Sequence, residues 1–227
     1  MHADYVGSLI TSLRWLASER IDVELYFLAN HSHIGGARNE CARYALAGGF
    51  DKLLFIDADQ VWRTEDLSYL IKSDKSLIGG TYAKKTLPID LNFTPLPEHA
   101  HYFTNGVKST SAFLKYSEEA DSSGEVEVEH IPTGFMLIDC SVLEKLKEKT
   151  PNYLYRTSQH TEENRCWDFF PAGVTEGRFL TEDFFFCSEA RAAGFPAYLN
   201  VFCVLGHIGS FNYRAERQDL PQIGDKL

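Results

Sequence analysis

The chain has no apolar run long enough to cross a membrane, and no basic-then-apolar leader opens it. A spanning or secreted protein is therefore not expected. Lysines and arginines form no stripe, and the formal net charge of −10 would repel a phosphate backbone, which argues against general nucleic-acid binding. A small anionic ligand held locally by a metal and a few basic groups stays compatible with that charge. No CxxC pair occurs: Cys41, Cys140, Cys166, Cys187 and Cys203 are odd in number and dispersed, which reads as reduced core thiols and speaks against structural zinc. There is no internal repeat, no low-complexity tract, and no glycine-rich basic loop near the amino end to cradle a triphosphate.

What is present suits one generous globular domain: 227 residues, 44% hydrophobic and 24% charged. Apolar residues at helical spacing predict a helix from Tyr5 to Leu16. Val23–Leu28 reads as a strand, Ser32–Gly36 as a turn, and Ala37–Ala47 as a helix closed by Gly48-Gly49. Leu53–Ile56 reads as a central strand buried on both faces, followed by a helix from about Glu65 to Ile71 capped by Thr64 and a strand from Ser76 to Tyr82. Between Leu91 and Glu129, short β-prone pieces (Tyr102-Phe103, Ala112–Tyr116, Val126–Val128) predict hairpins, with Ser122-Ser123-Gly124 as a tip. Phe135–Ile138 is a further strand, and Ser141 with Glu144 spells a capping box. Asn152–Arg178 has no period and reads as a long functional loop. A helix from Glu182 to Ala193 and a strand from Ala197 to Val204 close the pattern. That order implies an α/β fold with a doubly wound, mostly parallel sheet flanked by helices, and a smaller antiparallel section.

The chemistry starts at Asp57-Ala58-Asp59, where a greasy run stops at two carboxylates. Strand alternation would put both on one face, at the carboxyl end where open α/β sheets hold ligands. Carboxylates with phosphate oxygens suit Mg2+ or Mn2+; the structural alternative is a strand-end aspartate that caps the next turn. Arg38-Asn39 opens a helix after a glycine turn, where an Arg can fork onto a phosphate, pair with an aspartate, or form a surface ion pair. Glu182-Asp183 opens another helix, as dipole-complementing acids or as a general base. His207 lies in Leu205-Gly206-His207-Ile208-Gly209, just beyond the last strand, as a manganese ligand or a structural histidine. The pairs His31/His33 and His99/His101 read as incidental. Among Trp62, Tyr82, Phe135 and Trp167, the aromatics that could stack on a ring, only Trp167 is borne on a loop.

Taken together the chain resembles a GT-A fold nucleotide-sugar glycosyltransferase. The resemblance runs through Ile34-Gly35-Gly36-Ala37-Arg38-Asn39, Leu54-Phe55-Ile56-Asp57-Ala58-Asp59-Gln60 and Ile78-Gly79-Gly80-Thr81-Tyr82-Ala83-Lys84-Lys85. It continues through Pro132-Thr133-Gly134-Phe135-Met136-Leu137-Ile138, Thr181-Glu182-Asp183-Phe184-Phe185-Phe186-Cys187 and Leu205-Gly206-His207-Ile208-Gly209. Order and spacing are similar to small transferases of bacteria, phages and large algal viruses. The resemblance implies one domain over 1–227, with about 4–90 binding nucleotide, about 91–210 on the acceptor side, and 211–227 as a C-terminal tail. It implies Asp59 and His207 as ligands of Mn2+ (or Mg2+), and Asp57 on the donor ribose or a metal-bound water. Arg38 would face the nucleotide, Gly134 and Phe135 would border the sugar pocket, and Lys85 would reach donor or acceptor. Asp183 would be the base of an inverting transfer from a UDP-sugar, the favoured donor, to a carbohydrate or glycosylated acceptor. The expected compartment is the cytoplasm, the host's if the chain is virus-encoded. The opening strand of such folds is absent, since only Met1-His2-Ala3-Asp4 precede the first helix. Two other readings stand beside this one: a nucleotide-sugar or carbohydrate-binding protein of the same fold without catalysis, and a nucleotidyltransferase.

Overall fold

The computed structural model of the chain describes residues 2–29, 31–154, 165–175, 177–209 and 212–213. Helix α1 (Ala3–Ser18) buries Tyr5, Ser8, Ser12 and Leu16, one stripe at helical spacing. Helix α2 (Ile34–Gly48) starts three residues earlier than the expected Ala37, because His33 caps it by accepting the Gly36 N–H at Nδ1. It ends on Gly49, whose φ of 69° lies in the left-handed region. Strands β1 (Lys52–Ile56) and β2 (Gln60–Val61) flank the acidic turn, and α3 (Thr64–Lys72), β3 (Leu77–Tyr82) and β4 (Thr94–Pro95) follow. Then come α4 (Thr110–Tyr116), β5 (Glu125–His130), β6 (Phe135–Asp139) and α5 (Cys140–Lys147). Two hairpins, β7 (Asn152–Leu154) with β8 (Arg165–Trp167) and β9 (Gly173–Thr175) with β10 (Arg178–Leu180), lead to α6 (Glu182–Ala192). The long β11 (Ala197–Ile208) and β12 (Asn212–Tyr213) complete the described chain.

The main sheet has the order β1-β6-β3-β11-β5-β4, with β2 and β12 laid against the end of β11. This is a mixed α/β fold with a mostly antiparallel, partly parallel sheet and flanking helices. The expected mostly parallel sheet is corrected: among the described residues only β3 and β11 pair parallel, because β6 inserts antiparallel between β1 and β3. Since β1 and β3 both oppose β6, they run the same way, and β11 runs with them. The carboxyl ends of β1, β3 and β11 and the amino end of β6 therefore share one edge.

Alternation along the inner strands divides the core. Phe135 and Leu137 of β6 face α1 and α3 with Tyr5, Trp62, Leu67, Leu70 and Ile78. Met136 and Ile138 face the opposite layer of Ala42, Phe55, Leu143, Phe170 and Phe186. At about 1.5–3 kcal/mol for each fully buried large side chain, these two layers hold the inner strands firmly.

Several expectations give way to tertiary context. β1 is an edge strand: Phe55 is buried, but Leu53, Leu54 and Ile56 are half-buried because β6 is its sole partner among the described residues. Val23–Leu28, expected as a strand, is neither strand nor helix and pairs with no strand among the described residues. Ala112–Tyr116 lies in α4, where Phe113 and Tyr116 turn inward onto Phe93 at helical spacing. Ser122–Gly124 is a turn between a 3-10 segment and β5, not the tip of a hairpin. The N-cap of α3 is Arg63, whose N–H is taken by the buried Asp66 carboxylate at 2.7 Å, and Asp139, not Ser141, precedes α5. The stretch after Asn152 carries strands at both ends, while residues 155–164 lie outside the described residues, as does most of the 211–227 tail. Trp167 is consequently on β8, half-buried, with Lys147 over its ring at 4.5 Å.

Candidate functional site

The acidic segment is a turn rather than a continued strand. β1 stops at Ile56, and the Gln60 N–H reaches the Asp57 carbonyl at 3.0 Å. A turn separates the two carboxylates, so the expectation that strand alternation aligns them on one face is corrected. Backbone bonds hold the turn from two sides. Asp57 N–H donates to the Gly134 carbonyl at the start of β6 (3.0 Å), and Ile208 N–H donates to the Asp59 carbonyl (2.7 Å). From α1, Ser8 and Ser12 bind the backbone and indole of Trp62, which clamps the exit of the turn.

The second of these bonds explains how Asp59 meets a residue far along the chain. β2 pairs with β11 in the register Gln60–His207, which places His207 inside β11 rather than beyond it. His207 Nδ1 lies 2.9 Å from the Ala83 carbonyl and must donate there, which leaves Nε2 facing Asp59 Oδ2 at 3.4 Å. An imidazole lone pair aimed at a carboxylate is repulsive unless a proton sits on Nε2 or a cation lies between the two. Lys85, on the loop after β3, brings its ammonium to the same carboxylate oxygen at 2.6 Å. The hydrogen bond from His207, opposed by burial and helped by Lys85, pushes the Asp59 carboxyl down to about 2. Asp59 and Lys85 are each about 40% exposed while His207 is 15% exposed, so the cluster opens to solvent on the carboxylate side.

Asp57 turns the other way. Its Oδ1 takes a short hydrogen bond from Arg38, whose guanidinium also lies over the Phe55 ring at 4.9 Å. Arg38 Nε is buried without a partner among the described residues, so this cation keeps unspent donor capacity. The neighbouring Asn39 goes elsewhere. Its amide bonds Asp168 at 2.8 Å and the Tyr153 hydroxyl at 3.2 Å, and it accepts from Phe170 N–H at 3.0 Å. It ties α2 to the segment after β8.

Gly134 is buried, and nothing larger fits there: a Cβ would stand 2.6 Å from the Tyr82 hydroxyl. Phe135, expected to wall a sugar pocket, is instead fully buried against Trp62, so its ring belongs to the core. Asp183 sits in the first turn of α6, where Oδ1 accepts from Thr181 Oγ1 and from Phe184 N–H. Its Oδ2 takes no hydrogen bond from a described residue. Burial first, then Asp183 and Asp57, raise the Glu182 carboxyl, with Arg38 opposing. The α6 start thus lies within electrostatic reach of the Arg38–Asp57 pair.

Sequence reasoning missed the anchor of His207 on the Ala83 carbonyl, which has no side-chain signal. It also missed Gln60, whose fully buried side-chain amide has no partner among the described residues. His31 and His33 serve the α2 cap, while His99 and His101 pack among Tyr102 and Tyr116. Among the described residues, no group of three or more His, Cys, Asp or Glu could hold a metal ion by itself. A depression of about 480 Å3 lined by Leu46, Phe50, Lys52, Asp139 and Glu144 lies at the other end of β1, away from these groups. No described helix is long and apolar enough to cross a membrane.

No protein-family model matches the chain, and no curated protein matches it. Among solved structures, the chain is similar to the crystal structure of A197 from STIV. That match has a TM-score of 0.47 and 15% identity, covering 97% of this chain and 92% of that one.

Proposed function

We propose that the cleft at the shared strand edge binds a nucleotide diphosphate sugar with a divalent cation and transfers the sugar to a carbohydrate or glycosylated acceptor. The observation that carries this reading is the His207–Asp59 pair, an imidazole fixed through Nδ1 with Nε2 directed at a carboxylate. One nitrogen and one carboxylate donor fit Mn2+, and Mg2+ less well. With no third protein ligand in the described cluster, donor oxygens and water would complete the shell. Bound there, the cation supplies charge neutralisation for a diphosphate leaving group.

The chain's own residues do the rest. Arg38 orients Asp57, which would meet the donor ribose, and Arg38 adds positive charge beside it. Lys85 would leave Asp59 for the diphosphate or the acceptor once a cation takes its place. Gly134 makes room for the Tyr82 ring that packs against His207. Asp183, held through Oδ1, keeps Oδ2 to receive the acceptor hydroxyl proton as that oxygen attacks the anomeric carbon, which inverts the centre. UDP-sugars, hexosyl or pentosyl, are the donors to test first.

The test is donor hydrolysis and transfer across a panel of nucleotide sugars with Mn2+. Activity should disappear in chelator and fall by several kcal/mol in barrier for Asp59→Ala. Unchanged turnover in chelator or in that variant would refute the reading. A second reading is favoured by Lys85, whose ammonium already neutralises Asp59. It describes a nucleotide-sugar-binding protein that works without a metal and is weak or inactive in transfer. Donor binding by calorimetry that survives chelator, with no hydrolysis or transfer of any donor, would select it.

A further inference from the structure

Gln60 is fully buried, and neither its Oε1 nor its Nε2 has a hydrogen-bond partner among the described residues. The ladder fixes where this side chain goes. Gln60 lies opposite His207 in the antiparallel pair of β2 with β11, so both side chains project from the same face. One step along that ladder, the Ile208 N–H bonds the Asp59 carbonyl at 2.7 Å. Hydrogen-bonded and non-hydrogen-bonded pairs alternate, so Gln60 and His207 form a non-hydrogen-bonded pair, the kind whose side chains stand closest. Leu205, two residues before His207, packs on this face with Trp62, Tyr82 and Phe135. The Gln60 amide therefore enters the end of an apolar layer, beside the His207 imidazole and one residue along the chain from Asp59.

Packing alone would place Leu or Met at such a position, because an unmet buried amide costs free energy that an apolar side chain of the same shape does not. Polar neighbours are already engaged. His207 Nδ1 is spent on the Ala83 carbonyl, and the Trp62 indole and carbonyl are bound by Ser12 and Ser8. What stays available beside the amide is the His207 Nε2 and Asp59 side, where the cation is placed above. We propose that Gln60 is a positioning residue of that cation site: its Oε1 accepts a hydrogen bond from a water that the cation coordinates beside His207 and Asp59. A metal-bound water has spent its lone pair and is a strong donor, so the acceptor atom of the amide is the one that meets it. This role rests on the cation reading of the cleft, and it gives one water of the shell an anchor in the protein.

Mn2+ titration of the whole chain with uridine diphosphate present, set against urea melts of the metal-free chain, tests it. Two variants separate the oxygen from the packing. Gln60→Met keeps the shape and removes the amide: it should unfold at the same or higher urea, yet bind Mn2+ about tenfold more weakly. Gln60→Glu keeps an acceptor oxygen but buries a charge: it should unfold at lower urea, yet bind Mn2+ within about threefold of the unaltered chain. Stability and affinity then rank the two variants in opposite orders, which a glutamine with a structural role alone would not produce. Mn2+ affinity in Gln60→Met within about twofold of the unaltered chain overturns the proposal. So does a loss of stability in Gln60→Met that accompanies its loss of affinity, or binding in Gln60→Glu as weak as in Gln60→Met. An unaltered chain that binds no Mn2+ overturns the cation reading itself, and this role with it.

Discussion

Replacing Gly134 by alanine should damage both the fold and the cleft, although the change adds one methyl group. Gly134 is not among the glycines at positive φ, so backbone strain plays no part and the effect is steric. The new Cβ would stand 2.6 Å from Tyr82 Oη and 2.8 and 2.9 Å from two ring carbons. Reaching ordinary contact needs a movement of about 0.8 Å, and the Tyr82 ring has little room: it is 6% exposed and packs edge-on against His207 at 4.8 Å. Overpacking of this kind costs about 1–3 kcal/mol. For a chain of this size about 2 kcal/mol lowers the Tm by roughly 4–8 °C. Because Tyr82 would be driven toward His207, Mn2+ affinity should fall as well. Urea melts and manganese titration of Gly134→Ala, with Gly173→Ala as control, decide the matter, since a Cβ at Gly173 meets nothing within 4 Å. If Gly134→Ala matches the control in both stability and affinity, the packing argument for this edge is wrong.

Three further outcomes are expected. Gly7→Ala in α1, where a Cβ also meets nothing within 4 Å, should stabilise the protein by about 0.5–1 kcal/mol in urea melts through helix propensity. Asn39→Ala should cost about 2–3 kcal/mol, because it strands Phe170 N–H and the Asp168 carboxylate, and limited proteolysis should become faster between β8 and α6. His130 sets a pH dependence: burial, with Arg191 adding to it, holds its imidazole down at about 4 against an ordinary 6.5. Between those values the unfolded chain binds the extra proton, so stability is complete above about pH 6.5 and falls by on the order of 3 kcal/mol as pH drops toward 4. His130→Gln should flatten that slope in melts at pH 7 and pH 4.5; an equal slope in the variant would remove His130 as its source.

The helices were legible wherever one stripe does the burying, as in α1 and α6, and the inner strands wherever an apolar run is flanked by turns. Pairing was not legible, because it is a property of partners. Nothing in Phe135–Asp139 says that it enters between β1 and β3 in the opposite sense, which turns a parallel pattern into a mostly antiparallel sheet. Val23–Leu28 has the propensity of a strand and, among the described residues, no neighbour to pair with. Ala112–Tyr116 shows the converse: β-prone letters folded into a helix because Phe113 and Tyr116 both gain the Phe93 cluster from that spacing. At the cleft, residue types carried most of the signal. Asp59 and His207 were singled out for their chemistry and Lys85 only through the resemblance, and the structure brings the three into contact. The division of Asp57 from Asp59 depends on a turn that alternation does not describe. The burial of Phe135 depends on Trp62, a partner invisible from its own motif.

The central claim is that Asp59 and His207 hold one cation between them. Pulsed electron paramagnetic resonance of the chain with stoichiometric Mn2+ and nucleoside diphosphate tests it most directly. The account predicts a 14N coupling from one imidazole that disappears in His207→Ala, together with loss of tight Mn2+ binding in Asp59→Ala. Tightly bound Mn2+ with no nitrogen coupling, or binding that Asp59→Ala leaves unchanged, would contradict it.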